Sequence, residues 1–562
     1  MVSLGGVEVY AITVAVLLGS CIPASRLSAS SLTRRFRKTN LFVSRFLTYP
    51  RLFGGNQYFQ PWTMLECIML LGFAAVNVIV ATLPWLSIQE LRRRLGVLAV
   101  VNMVPLYFGT AHDIPATIFG LLLRDYSRVH RVMGAACITL GLMHAILSWN
   151  TVPQKNSSSL WTWNQVVFSS ILLIAISTLV RWRIHFYESF LWVHRLLGFI
   201  CLIGLWRHAT PGAKVSYCAL STATLAFALS LLVVMGFTVW INGLVPKRWY
   251  IARGYTLARD SRYMRITVHK WQGRRVRPGQ YLHLVAPGIT NFGTLQSHPF
   301  MGVPGSEGHS LEMFVEMRSS FTSMLFQQPV DSSPEPSPPW KTILSEKCSR
   351  DCLVLPCEKR TFPVLLRGPY GPSVSLRGFE IVVMVAKRGC HVASFIPYLR
   401  NIAHDQRSRL RAVHLVWEVD SPEEVCMWSD VINGLQAGVE VHALPVNGDA
   451  ELLAKERKRV KIAIYYPEGC PDRLDLVKTG LEDTVTENWG QPDPKAILGE
   501  CRACRITEGE KAVVEPGVVG KEPSDGVLVL FSGKAHEDRI WYDCVCSYLP
   551  ENVRFLRMPD WQ

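Results

Sequence analysis

Four histidines carry the first chemistry this sequence offers. His130 and His144 stand fourteen positions apart in the mostly apolar stretch 129–147, and His194 and His208 repeat that spacing in 186–208. Fourteen residues of α-helix advance about 21 Å and return to within about 40° of the same face. Each stretch can therefore hold two imidazoles on one side, at two depths of a bilayer. Two such helices side by side offer two facing pairs, and paired imidazoles are a common way to hold haem iron through both axial positions. A lone membrane histidine is more often a polar contact to a neighbouring helix. Here 15 histidines are spread over 562 residues, and the same spacing recurs in two apolar stretches. Because ionisable side chains in hydrocarbon are costly and usually functional, the four are read as ligands of two b-type haems.

Such rings need membrane helices to hold them. The chain is 49% hydrophobic with a mean hydropathy of +0.18, and the apolar surplus is confined to the first 245 residues. Seven spans are predicted, near 7–22, 62–86, 95–108, 129–147, 166–180, 186–208 and 215–241, several of them shorter than the roughly 20 residues a crossing helix needs. The first is not read as a secretory signal, because it opens with Glu8 and no basic residue precedes it, whereas signal peptides begin with positive charge. Arg26, Arg34, Arg35, Arg37 and Lys38 follow it, which by the positive-inside rule puts that loop in the cytosol and the N-terminus outside. Seven crossings then deliver the C-terminal half to the cytosol. Arg181 and Arg183 fall in a predicted inner loop and the sequon at Asn156 in an outer one, in agreement, while Arg92, Arg93 and Arg94 face outward against the rule. Those three offer either an anion-friendly mouth or an anchor to lipid headgroups. In this topology His130 lies level with His194 near the cytosol, and His144 with His208 near the exterior.

Past Pro246 the apolar runs shorten and alternate with charge, as in a soluble α/β half. Strand-like pieces at 263–268, 281–285, 311–317 and 362–366 suggest a small antiparallel barrel. Within it sit Pro278-Gly279-Gln280-Tyr281, His298-Pro299-Phe300-Met301, Ser320-Phe321-Thr322 and Gly368-Pro369-Tyr370-Gly371. From Glu380 a buried-strand run, 381–386, leads to the turn Lys387-Arg388-Gly389-Cys390-His391 and a helix through Pro397-Tyr398-Leu399. Strand, glycine turn and helix form the ordinary start of a dinucleotide-binding unit, since glycine lets the backbone approach phosphates at an electropositive helix N-terminus.

With its doubled histidine spacing, His-Pro-Phe run and Gly-Pro-Tyr-Gly run, the chain from about Arg92 onward resembles the ferric reductase and NADPH oxidase superfamily, fungal ferric-chelate reductases above all. The resemblance implies a seven-helix transmembrane haem bundle followed by a cytosolic FAD-binding β-barrel and an α/β nucleotide-binding domain. The divisions expected are 1–90 for N-terminal spans and loop, 91–246 for the haem domain, 247–376 for the barrel and 377–562 for the NADPH-binding domain. It implies FAD contacts at Tyr281, His298, Pro299, Phe300, Met301, Thr322, Gly368 and Gly371. Met301 stands where the family has a hydroxyl residue, and a thioether packs but donates nothing. Ser320 stands in place of a glycine.

For the nucleotide the resemblance implies Gly389, Ser532 and Gly533. A second family glycine is replaced by His391, whose side chain can block close backbone approach, although Lys387 and Arg388 could meet phosphates with charge. Residues 412–418 are similar to the family's next strand. Ser532 and Lys534 occupy positions of a Cys-Gly-Pro turn, whose cysteine would lie near the nicotinamide ring.

Other features point elsewhere or nowhere. Cys501 and Cys504 make half a zinc knuckle, but Cys544 and Cys546 complete it poorly. The segments 331–339 and 499–524 read as surface insertions. A net charge of +15 fits inner-loop basic residues against anionic lipid, and no basic helix or aromatic platform points to nucleic acid. The function expected is transfer of electrons from cytosolic NADPH through FAD and two haems to an external ferric chelate or cupric ion, in the plasma membrane, with an iron permease or oxidase as a candidate partner. No side chain is assigned a catalytic role. The alternatives are a superoxide-producing oxidase of the same build and a haem membrane protein with a degenerate nucleotide site.

Overall fold

The structure, a computed structural model, describes most of residues 43–331, 358–428, 459–468, 485–501 and 526–558, with short breaks inside the longer stretches. The predicted first span, the basic loop after it, Asn156, Arg181, Arg183, Ser320, Cys504 and nearly all of the two insertions lie outside the described residues. The chain divides into two compact units, broadly the residues up to Phe237 and those from Thr238 on.

The first unit is helical: α1 (Met64–Thr82), α2 (Ile88–Tyr107), the short α3 (Asp113–Phe119), α4 (Leu123–Trp149), α5 (Ser158–Ser177), α6 (Tyr187–His208) and α7 (Lys214–Asn242). Among the described residues four of these, α1, α4, α6 and α7, are long and apolar enough to cross a membrane, and Trp161–Ser177 within α5 is a shorter apolar helix. Their outward faces expose large apolar side chains such as Leu71, Val78, Leu232 and Met235, which hydrocarbon tolerates and water does not. The chain is an integral membrane protein. The third predicted span starts earlier than its hydropathy suggests. Ser87 caps α2 by accepting from the Glu90 N–H at 3.2 Å, so the charged residues Glu90 and Arg92–Arg94 belong to the helix. A capping box, Thr63 with Glu66, opens α1. Buried Asn102 donates to Asn77 at 2.7 Å, joining α1 to α2. Beyond that, α2 packs along α4 and α5 along α6.

The second unit holds two sheets. Strands β1 (Tyr250–Thr256), β2 (Tyr263–Val268), β3 (Tyr281–Val285), β4 (His298–Met301), β5 (Val303–Pro304), β6 (Leu311–Glu316) and β7 (Glu358–Tyr370) run in the order β4-β3-β7-β1-β2-β6-β5. The two end strands are separated in sequence by Gly302 alone, so the sheet has to curl until its ends nearly meet. The result is the expected barrel, filled by Ile266, Leu282, Phe300, Met313 and Leu366.

The other sheet is parallel, with β8 (Ile381–Lys387), β9 (Ala412–Glu418), β10 (Arg459–Tyr466), β11 (Val485–Trp489), β12 (Val527–Ser532) and β13 (Val553–Arg557) in the order β11-β10-β9-β8-β12-β13. The chain leaves β8 toward β9 on one side and later returns as β12 on the other. The crevice beyond the C-terminal ends of β8 and β12 is thus a topological switch point, where open α/β sheets bind ligands.

Barrel and parallel sheet share a core. Tyr263, Met301, Val303 and Phe314 pack in one apolar cluster with Val382, Val392, Phe395 and Trp428, and Phe314 stacks on Trp428 at 3.5 Å. This accounts for Met301: its thioether is buried in the shared core, where a hydroxyl would be a burden. Beside it, buried Arg265 pairs with Glu312 at 2.8 Å and donates to the Met427 carbonyl at 3.1 Å. Removing one partner of a buried pair costs about 3–5 kcal/mol. Glu312→Ala is accordingly expected to lower the thermal unfolding midpoint of the second unit, measured by thermal shift, far more than Glu316→Ala, whose partner Arg318 is 31% exposed.

Candidate functional site

The membrane unit brings its four histidines together in two pairs. His130 on α4 faces His194 on α6 with ring centroids 6.2 Å apart, and His144 faces His208 at 6.0 Å. Two imidazoles sharing one metal through bonds of about 2 Å, each ring centre about 1 Å behind its nitrogen, stand roughly 6 Å apart. The donor spacing therefore fits a bis-imidazole metal at each level.

The His144–His208 pair is also oriented for that role. His144 Nδ1 lies 2.8 Å from the Arg92 carbonyl and His208 Nδ1 lies 2.7 Å from Asn164 Oδ1. Both oxygens are acceptors, so each ring carries its proton on Nδ1 and presents Nε2 as the lone-pair nitrogen. A ligand histidine held in this way has a fixed tautomer and stronger basicity. Gly96 makes the approach possible, since a Cβ there would lie 2.8 Å from His144 Nδ1. The His130–His194 pair differs: both Nδ1 atoms are buried and, among the described residues, have no hydrogen-bond partner.

Sequence reasoning missed Arg92 and Asn164 as supports. Asn164 could have been found as an amide inside an apolar helix. The Arg92 carbonyl could not, because a backbone atom leaves no mark in residue type. As for the arginine run, Arg93 and Arg94 are tied to Glu90 at 2.8 and 3.0 Å, and Arg94 donates to the Leu83 carbonyl at 2.8 Å.

In the barrel, β3 and β4 pair antiparallel, with Tyr281 opposite Met301 and Leu282 opposite Phe300. This brings the two predicted flavin segments side by side. Their residues differ in access: Tyr281, Phe300 and Met301 are buried, while His298 and Pro299 are partly exposed. His298 stacks on Phe321 at 4.0 Å, next to Thr322, whose hydroxyl accepts from the Arg318 N–H at 3.0 Å. A partly exposed histidine stacked on an aromatic ring beside a hydroxyl fits the edge of a flavin nucleotide, while the Arg318 guanidinium is paired with Glu316 at 2.9 Å. Gly368 (φ 126°) and Gly371 (φ 90°) shape the end of β7. Tyr398, on α9 (Ile396–His404) after α8 (Phe321–Phe326), was not foreseen. Burial pushes its hydroxyl up to about 12, so it stays protonated, donating to the Pro278 carbonyl at 3.2 Å and accepting from the Val374 N–H at 3.0 Å.

At the switch point the structure gathers Gly389, Ser532 and Gly533 as the strand order requires. Ser532, fully buried, lies 3.2 Å from Ser394 Oγ and 3.4 Å from His391 Nδ1. His391 is itself buried, so its ring takes up space between the ends of β8 and β12. The two cations expected to meet phosphate are already engaged. Lys387 pairs with Glu418, its neighbour in the β8–β9 register, and Arg388 lies 3.6 Å from both Asp420 and Glu537. Burial raises the Glu418 carboxyl while Lys387 pulls it down. Arg388 has φ 65° and ψ 162°, a conformation natural to glycine that costs other residues about 1–3 kcal/mol.

Comparison with known proteins follows the same division. A family model described as ferric reductase like transmembrane component matches residues 95–205, and one described as FAD-binding domain matches residues 256–374. Ferric reductase transmembrane component 1 of Schizosaccharomyces pombe is 22% identical over 486 residues, covering 77% of this chain and 78% of that protein. Among solved structures, flavohemoglobin from Malassezia yamatoensis shares 14% identity at a TM-score of 0.35, over 86% of this chain and 98% of its own. A ferredoxin NADP+ reductase from Neisseria gonorrhoeae shares 11% at 0.28, over 55% and 98%. A helical membrane unit joined to a flavin-type barrel and a parallel α/β sheet defines a transmembrane electron-transfer oxidoreductase. In both matched segments the chain is similar to the ferric reductase and NADPH oxidase superfamily.

Proposed function

We propose that the protein carries electrons from a cytosolic nicotinamide nucleotide, NADPH by family likeness, across the plasma membrane to an external ferric chelate or cupric ion, with FAD and two b-type haems as resident groups. The observation that carries this reading is the pair of roughly 6 Å histidine spacings at two levels of α4 and α6. A flavin accepts two electrons as a hydride and releases them singly, which is the count haem iron requires. His130 and His194 would hold the inner haem, and His144 and His208 the outer one, oriented by the Arg92 carbonyl and Asn164. With both histidines of each pair taken up in holding a haem, the acceptor would be reduced at the periphery. The nucleotide domain is then cytosolic, the N-terminus external, and an iron permease or oxidase is a candidate partner for the reduced metal.

Anaerobic mixing of the purified protein with millimolar NADPH tests the reading: flavin bleaching, then haem reduction, then reoxidation by ferric chelate are expected. A second reading, a haem membrane protein whose cytosolic half takes no nucleotide, is favoured by buried His391 and by the carboxylate-engaged Lys387 and Arg388. Absence of bleaching with both NADPH and NADH would establish it in place of the first. Gly96→Ala supplies a structural check. The added methyl pushes His144 off the Arg92 carbonyl, and loss of such an outer hydrogen bond typically costs about 10–100-fold in metal affinity. Haem content by pyridine haemochrome is expected to fall toward one per chain, with the His130 pair retained.

A further inference from the structure

The inner histidine pair has a third imidazole beside it. His112, in the turn between α2 and α3, lies with its ring centroid 4.7 Å from that of His130 and 5.4 Å from Tyr126, which it meets edge-on. Its Nδ1 is 3.2 Å from Ser127 Oγ. If that nitrogen carries the proton and donates to Ser127, Nε2 is left as a lone-pair acceptor. A Cβ on Gly109 would stand 3.1 Å from His112 Nε2 and 3.4 Å from His130 Nδ1. The two nitrogens thus border the same small space, kept open by a residue with no side chain. His130 Nδ1 is buried and lacks an acceptor among the described residues, whereas His144 and His208 each have an oxygen at that position.

We propose that His112 is a positioning residue for the inner haem ligand: its Nε2 accepts the hydrogen bond from His130 Nδ1–H, directly or through one water, in a relay anchored by Ser127. This rests on the haem reading above and assigns His112 no metal contact. A histidine that donates in this way binds its metal more strongly as a base, which favours the ferric state. Taking the acceptor away is expected to make the inner haem easier to reduce, and to leave the outer haem as it was.

The test is a redox titration of the full-length protein, followed by optical and low-temperature EPR spectra of both haems. His112→Phe is expected to raise the midpoint of one haem by roughly tenfold in its reduction equilibrium constant, about 59 mV for one electron, and to shift the g-values of that haem only. His112→Asn, which keeps an acceptor, is expected to restore most of the difference. Ser127→Ala, which keeps the imidazole and only frees it, is expected to move the same haem in the same direction by less, and it serves where the phenylalanine variant fails to fold. Unchanged potentials and g-values in Ser127→Ala and in a haem-loaded His112 variant would overturn the assignment. A wild-type protein without two bis-histidine haem signals would instead overturn the haem reading, and this assignment with it.

Discussion

His144→Ala is expected to lose one of the two b-type haems proposed above and to keep flavin reduction by nucleotide unchanged. The ring it removes has a partner 6.0 Å away in His208 and a fixed Nδ1 contact to the Arg92 carbonyl at 2.8 Å, and alanine offers neither a ligand nor a donor. Haem per chain should fall by about half, because bis-imidazole ligation fails when one axial nitrogen is missing. Ferric-chelate reduction should drop to the background of a denatured control. The dithionite-reduced spectrum checks this directly: an unchanged haem band would contradict the pairing, as would loss of the inner haem with the outer one retained.

The second large effect is at the nucleotide crevice. His391→Gly should tighten NADPH or NADH binding by about tenfold, or roughly 1.4 kcal/mol. The buried ring sits between the ends of β8 and β12, 3.4 Å from Ser532 Oγ, where a dinucleotide's backbone contacts belong. Glycine would empty that space and let the turn approach the ligand. Titration calorimetry on the full-length variant measures it. Unchanged or weaker affinity would show that the obstruction is elsewhere, Arg388 with its carboxylate partners being next in line.

Much of this molecule was legible in its residues, and the reasons are physical. The fourteen-residue histidine spacing was readable because helix pitch is fixed, so sequence distance converts directly into depth and face. Run 381–386 was readable as a buried strand because a parallel sheet covered on both sides leaves no polar alternation. What stayed hidden depends on contacts between distant segments. The pairing of Lys387 with Glu418 follows from strand register, which residue type does not disclose, and it reverses the expectation that Lys387 waits for phosphate. Helix α2 was cut short because Glu90 and three arginines lower its hydropathy, although Ser87 marks its true start. Met301 looked like a loss at the flavin. Its burial in the core shared by barrel and sheet shows what replaced the hydroxyl.

That shared core limits how the soluble half could ever be simplified. Severing the chain near Leu376 would strand Tyr263, Val303 and Phe314 in water and strip Arg265 of the Met427 oxygen, so a barrel made alone should clump instead of standing free. Even if the crevice had stopped holding coenzyme altogether, the sheet around it would have to persist as a buttress. A worn-out pocket in this architecture can be inherited indefinitely, since its walls are also the flavin module's foundation.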